Sequence, residues 1–535
     1  MGTAAAEPDV DVVVVGAGFS GLYALHELRS RGFTARVLEA GSDVGGTWYW
    51  NRYPGARCDV ESVDYSYSFS PELDQEWDWS ERYAAQPEIL RYLRHVADRF
   101  DLRRDIEFGA RVTSVRFDPG GTCWTVRATG RPPLVARFCV MATGCLSVPR
   151  APDLPGLADF RGPTYHTGSW PESYVDFGGM RVGVVGTGSS AIQAIPELAR
   201  RAGALTVFQR TPNFAVPARN GPLDPERLRR VKATYPQRRA ANRASAGGMH
   251  REDNEQNTFD VDPRRRKAEY ERRWHDGGFG LLGAFADVMA DQRANDELAG
   301  FVRGKVRAAV RDEATARRLL PGGHPIGSKR LCLHTGYFET YDQDHVTLVD
   351  LAEHPLEAVT PAGVRAGGAE HELDALVLAT GFDAMTGALN RIDVRGRDGT
   401  ALADAWRDGP VTYLGLAVAG FPNLFLITGP GSPSVLTNMV CAIEQHVQWT
   451  ARCLKHVRDG GFRGIEATEQ AQRGWVAHVR EVAEETLFPQ ADSWYVGANV
   501  PGKPRVFMPY VAGLDVYEQI CEEVAATGYR GFTPV

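Results

Sequence analysis

Short apolar runs and longer stretches with helical spacing alternate along this chain. Residues 11–15 are a β-branched run without polar alternation, as in a strand buried on both faces of a parallel sheet. Residues 22–29 follow with helical spacing, and 34–38 form a second short run. The same order returns later: a run at 181–185, a helix ending near 200, and a run at 205–209. Strand, helix, strand at this scale predicts a doubly wound α/β unit, here twice. Further buried strands are predicted at 138–142, 346–349, 375–379 and 423–428, and alternation over 111–117 and 123–128 predicts a hairpin. Helical spacing predicts 86–100, opened by Pro87, with 444–454 and 516–527. Residues 218–326 differ. Arginine is dense there, Gly247-Gly248 and Gly277-Gly278 punctuate, and Phe301, Val302, Lys305, Val306, Ala309 and Val310 repeat at helical spacing. This predicts a helical insertion, with its basic run on a solvated face.

With 535 residues the chain is too long for one core, and three or four domains are expected. The net charge of −7 argues against a nucleic-acid partner. Eight cysteines without a C-x-x-C pair fit a reduced, cytoplasmic protein and give no metal or dithiol signature. No apolar run is long enough to span a bilayer, and residues 1–11 lack the basic and apolar regions of a signal peptide.

A glycine fingerprint closes the first strand of each unit. Gly16-Ala17-Gly18-Phe19-Ser20-Gly21 lies between strand and helix, the context in which G-x-G-x-x-G indicates a dinucleotide. Gly16 permits the tight turn, Gly18 lets the backbone approach a pyrophosphate, and Gly21 lets helix pack on strand. Gly186-Thr187-Gly188-Ser189-Ser190-Ala191 repeats the pattern, with alanine as the permitted third residue. The ends of the second strands differ. Glu39, 23 positions after Gly16, can accept bonds from ribose hydroxyls, whereas Arg210, 24 after Gly186, carries a guanidinium suited to a 2′-phosphate. The first site is therefore expected to take FAD and the second NADP rather than NAD. Ala142-Thr143-Gly144 and Ala379-Thr380-Gly381 bracket the second unit as an insertion in the first. The expected division is 1–145 (FAD unit), 146–217 (NADP unit), 218–326 (helical insertion), 327–379 (NADP unit resumed) and 380–535 (FAD unit resumed).

Between the fingerprints lies Phe160-Arg161-Gly162-Pro163-Thr164-Tyr165-His166-Thr167-Gly168-Ser169-Trp170-Pro171. The pattern F-x-G-x-x-x-H-x-x-x-W-P resembles the fingerprint of the flavin-dependent Baeyer–Villiger monooxygenases, and most of the chain looks closest to the phenylacetone and steroid monooxygenases among them. The resemblance implies that the aromatic loop 45–59 lies along the flavin, with Gly46, Thr47, Trp48, Arg57, Cys58 and Asp59 as contacts and Tyr65 nearby. It implies that Val112 touches the adenine end through its backbone. Gln193, Thr211 and Lys329 match NADP contacts, and Trp494 lies in a mobile loop over the nicotinamide. Arg330 matches the catalytic arginine and Asp59 its holder, while His334 and Phe338 depart from the acid and tyrosine pictured in relatives. The loop 429–439 matches the ketone-pocket wall, with Ser434, Val435, Leu436 and Met439, and Met439 also matches a residue that approaches the flavin.

The implied reaction uses NADPH and oxygen to convert an aryl, cyclic or steroidal ketone to an ester or lactone through a C4a-peroxyflavin. Arg330 would keep its charge throughout and stabilise an oxyanion. His166 is read as a linker residue tying domain rotation to turnover, not as an acid or base. The expected partners are a small ketone and oxygen, in a monomer or weak homo-oligomer without membrane or nucleic acid. Three rivals differ in class. A disulfide reductase needs the missing C-x-x-C. A flavin N-hydroxylase or flavin monooxygenase carries a shortened linker without Trp170-Pro171. A non-enzymatic NADP(H) sensor shares the motifs.

Overall fold

The computed structural model describes residues 7–535, so most of the stretch read for a signal segment lies outside the described residues. Two parallel-cored sheets carry the chain, each with one glycine fingerprint at its centre. In the first, Val10–Val15 lies between Ala35–Leu38 and Leu134–Met141, all parallel. The hairpin Val112–Asp118 and Cys123–Ala128 extends that sheet antiparallel. Two late strands return to it: Leu424–Leu426 pairs with Leu134–Met141, and Asp393–Arg395 with Val112–Asp118.

The second sheet is five parallel strands in the order Val346–Asp350, Ala204–Gln209, Arg181–Val185, Ala375–Leu378, Thr164–His166. The second unit is thus inserted in the first. Its edge strand, Thr164–His166, is part of the F-x-G-x-x-x-H-x-x-x-W-P linker. Sequence reading finds no strand there: three half-polar residues carry no periodicity, and pairing with Ala375–Leu378 supplies the order.

The insertion is helical, with Pro225–Ala233, Tyr235–Arg243, Pro263–Asp276, Gln292–Ala309 and Glu313–Leu319. Local chemistry sets several starts. Asp224, Asp262, Asp291 and Asp312 each accept backbone N–H bonds as N-caps, and Pro225 and Pro263 occupy first-turn positions that need no donor. The basic run is answered within the chain: Arg266 pairs with Glu297, Arg272 with Glu252 and Glu269, and Arg273 with Glu269. The helix expected at 444–454 is longer, Met439–Asp459, because the Asn438 side chain caps its start. Among the described residues no helix is long and apolar enough to cross a membrane.

Candidate functional site

The first glycine turn is shaped by close backbone approach. Gly16 has φ +105°, and a Cβ there would stand 2.6 Å from the Ala142 carbonyl oxygen. A Cβ on Gly21 would fall 1.8 Å from the Gly16 oxygen, so helix Phe19–Ser30 packs on the strand only with glycine at that point. That helix starts at Gly18 with no side-chain cap, and a Cβ on Gly18 would press on Gly46 Cα at 3.3 Å. Glu39, at the end of Ala35–Leu38, is buried and accepts from Ala17 N and Gly41 N, both at 2.6 Å. Burial raises its pKa, and these bonds oppose the rise. Each oxygen keeps a lone pair for a ribose hydroxyl. Ser20 is buried, and the Phe19 ring packs on Tyr65, 5.1 Å away, so Phe19 offers a ligand only its backbone. Trp48 donates from Nε1 to the Tyr65 hydroxyl at 3.2 Å, fixing the two rings edge to face. Gly46 and Thr47 open the short helix carrying Trp48, and Cys58 is buried as an un-ionised thiol. Val112 lies at a register shift in its hairpin. These donors, glycines and rings fit an FAD.

The second turn has the same geometry, with Gly186 at φ +110° and its Cβ direction blocked by the Ala379 oxygen at 2.6 Å. Gly188 differs, because a Cβ there would meet nothing within 4 Å. The space in front of helix Ser189–Ala199 is open, its start has no side-chain cap, and Ala191 is fully buried beneath it. Ser190 stands in that uncapped first turn, while Ser189 Oγ contacts Cys332 Sγ at 3.3 Å. Thr187 Oγ1 donates to the Thr211 carbonyl at 3.0 Å and ties the turn to the segment after Arg210. Arg210 is exposed, and no hydrogen bond or ion pair holds it or the half-buried Lys329 among the described residues. Burial and then Arg210 lower the Lys329 pKa, so the two cations are near neighbours. An uncapped helix start beside unpaired cations fits NADP.

The units meet at Arg330 and Asp59. Arg330 donates from Nε and Nη2 to the two carboxylate oxygens of Asp59 at 2.7–2.9 Å. Its Nη1 donates to the Val435 carbonyl at 2.7 Å, and its guanidinium lies 5.0 Å from the Phe279 ring centroid. Burial opposes the charge, but the Asp59 carboxylate outweighs it and holds the guanidinium above its ordinary pKa. Tyr495 closes the remaining side. Burial pushes its phenol up to about 12 against the pull of Arg330, so it stays protonated. Val435, Tyr495, Cys145, Met385 and Met508 form one apolar cluster, with Leu146, Leu436, Met439, Trp494 and Phe507 against it. Ser434 takes φ +36° and buries its hydroxyl oxygen without a partner. A chain of backbone bonds joins the two loops: Met508 N donates to the Tyr495 carbonyl, and Gly431 N to the Met508 carbonyl.

The loop carrying Asp59 is clasped from the other unit by Gln193. Its Oε1 accepts from the Tyr53 hydroxyl at 2.8 Å, and its Nε2 donates to the Arg57 carbonyl at 3.1 Å. Gln193, matched to an NADP contact from sequence, therefore bridges the units. Arg57 does not bring its guanidinium to this site: it pairs with Glu81 at 2.8 Å and donates to the Tyr83 carbonyl. His334 is buried against Phe338, 4.9 Å between ring centroids, with neither ring nitrogen bonded. Burial, then the Arg219 charge, push its pKa down to about 4.

His166 lies apart from Arg330, where the chain passes between units. Its Nδ1 accepts from Gly168 N at 2.9 Å, so the ring proton is on Nε2, 3.1 Å from the Arg150 carbonyl and 3.3 Å from Thr380 Oγ1. Burial lowers its pKa. Arg150 and Phe279 escaped the sequence reading, and Tyr495 was placed in the Ser493 to Gly497 loop without a role of its own. Tyr495 adjoins Trp494 and could have been drawn in by proximity, but Arg150 and Phe279 carry no local signal.

The comparisons agree with this geometry. A pyridine nucleotide–disulphide oxidoreductase family model matches residues 13–268. The chain has no C-x-x-C pair, so the likeness lies in the nucleotide-binding architecture. A Baeyer–Villiger monooxygenase of Pseudooceanicola batsensis is 41% identical over 97% of this chain and 95% of its own. A solved steroid monooxygenase bound to NADP is 52% identical with a TM-score of 0.94, covering 98% of this chain and 99% of that one. A structure described as an OTEMO complex with FAD and NADP is 39% identical with a TM-score of 0.96, covering 99% and 100%. Agreement over the whole length, through both glycine turns and the linker between them, makes this chain a member of the Baeyer–Villiger monooxygenase family.

Proposed function

We propose that this protein binds FAD and NADP(H) and converts an uncharged ketone, oxygen, NADPH and a proton to an ester or lactone, water and NADP+. The observation that carries the reading is Arg330, held by Asp59 at the junction of the two nucleotide units beside the apolar cluster of Val435, Tyr495 and Met508. Bound flavin supplies hydride acceptance and oxygen activation. FAD is held by the turn Gly16 to Gly21, by Glu39 and by the loop Gly46 to Asp59 with Tyr65. NADP is held by Gly186 to Ala191, Arg210, Thr211 and Lys329. Trp494 covers the nicotinamide, and Ser434, Val435, Leu436 and Met439 wall the ketone.

Arg330 presents a charge that working pH never removes. Nε and Nη2 face the Asp59 carboxylate and Nη1 faces the Val435 carbonyl, with Tyr495 alongside. The guanidinium, so held, stabilises an oxyanion as a preorganised charge does. The aryl and aliphatic wall excludes water. His166 holds backbone and neither gives nor takes a proton in the reaction. In this reading the FAD unit comprises 1–145 and 380–535, and the NADP unit 146–217 and 327–379.

The test is purified protein supplied with NADPH, oxygen and a panel of aryl, cyclic and steroidal ketones, with products read by mass spectrometry. One non-covalent FAD per chain and ketone-dependent ester are expected. Yellow protein that oxidises NADPH and yields no ester from any ketone would leave the sensor reading standing.

A further inference from the structure

The cationic cluster beside the second glycine turn has a third member. Arg150 lies on the outgoing segment between units, bonded to Thr380 and Gly381 just past Ala379, whose carbonyl oxygen abuts Gly186 of that turn; burial, then the Arg210 charge, lower its pKa. The guanidinium is half-buried and has no hydrogen-bond acceptor or ion-pair partner among the described residues. Its backbone is fixed at both ends. Arg150 N donates to the Gly381 carbonyl at 2.9 Å, and its carbonyl accepts from Thr380 Oγ1 at 2.6 Å. The His166 Nε2–H completes that hold at 3.1 Å. Among the described residues, the carboxylate that raises the Lys329 pKa is Asp492, which pairs with Arg505 at 2.6 Å.

Three neighbouring cations without an anion repel one another, and the repulsion is relieved by a ligand with more than one negative charge. A phosphate monoester has that charge and three acceptor oxygens. We propose that Arg150 is a third ligand of the NADP(H) 2′-phosphate, and that His166 is the positioning residue that holds Arg150 in reach of it. This rests on reading the second glycine turn as the NADP site. The linker histidine then acts on the cofactor through one backbone carbonyl, and the phosphate is tied to the segments that cross between units.

The test is equilibrium binding to FAD-loaded protein by titration calorimetry, with NADP+, NAD+ and 2′-AMP as probes. FAD content and thermal midpoint check that each variant is folded. Arg150→Gln is expected to raise the NADP+ and 2′-AMP dissociation constants about tenfold and leave NAD+ within about twofold. Arg150→Lys keeps the charge and should recover most of the loss. His166→Phe is expected to weaken NADP+ several-fold in the parent and to add nothing in the Arg150→Gln background. The control is Arg210→Ala. If it leaves NADP+ affinity unchanged, the NADP site itself is misassigned. If it weakens NADP+ while Arg150→Gln does not, the third ligand is refuted. If His166→Phe acts equally in both backgrounds, its positioning role is refuted.

Discussion

Replacing Arg330 by alanine tests the proposed chemistry most directly. The change removes the fixed charge together with the N–H groups directed at Asp59 and at the Val435 carbonyl. Loss of one preorganised oxyanion donor costs about 10²–10³ in rate, and here a fixed charge goes with it. Ester formation should fall by about a thousandfold or more. The half-buried Asp59 loses its partner, at a cost of ~1–3 kcal/mol in stability. Neither glycine turn is touched, so FAD and NADPH should still bind and flavin reduction should persist. Stopped-flow absorbance of the reduced variant mixed with oxygen, run beside hydrogen peroxide and ester assays, separates the steps. Arg330→Lys is the control: it restores a charge but not the fork, and should recover only part of the loss. Ester at near the parent rate from Arg330→Ala would refute the reasoning.

Gly188→Ala should leave the thermal midpoint unchanged, since its Cβ meets nothing, yet weaken NADP+ binding severalfold by calorimetry; parent affinity would mean the pyrophosphate lies elsewhere. Gly55→Ala places a Cβ 2.4 Å from the Gln193 carbonyl oxygen at φ +83°, so it should part the Asp59 loop from the second unit. More hydrogen peroxide per NADPH is expected, and unchanged coupling would discount the clasp. His334 supplies a pH prediction. The folded chain keeps it neutral down to about 4, whereas the unfolded chain protonates near 6.5, so the unfolded state binds more protons in that window. Stability should therefore fall as pH drops from 6.5 towards 4, by about 3 kcal/mol for this one group. Thermal midpoints should drop less between pH 7 and pH 5 in His334→Phe than in the parent; equal drops would count against a neutral buried imidazole.

What local chemistry dictates was readable from the sequence. The two glycine turns and the opposite charges at Glu39 and Arg210 fell where motif and spacing put them, while the pairing of Arg330 with Asp59 followed from the family resemblance. What tertiary contact dictates was not. Thr164–His166 becomes a strand only because Ala375–Leu378 lies beside it. Gln193 matches a cofactor contact by position, but its amide is engaged by Tyr53 and Arg57 from a loop some 140 residues upstream. Arg150 and Phe279 join the site by how distant segments cross and stack, and side-chain periodicity has no access to that.

The interrupted first sheet has a consequence for how the protein is made. Leu134–Met141 cannot gain its neighbour Leu424–Leu426 until residue 426 has left the ribosome, and Val112–Asp118 waits for Asp393–Arg395. The five strands of the second sheet all lie within 164–378 and can assemble earlier. During synthesis the earlier unit is therefore the one finished last, with the Leu134–Met141 and Val112–Asp118 edges unpaired meanwhile. Slow translation prolongs that exposure, and unpaired strand edges recruit other chains. Yield of soluble protein should thus respond more to chaperones and lower growth temperature than to any stabilising change within the second unit.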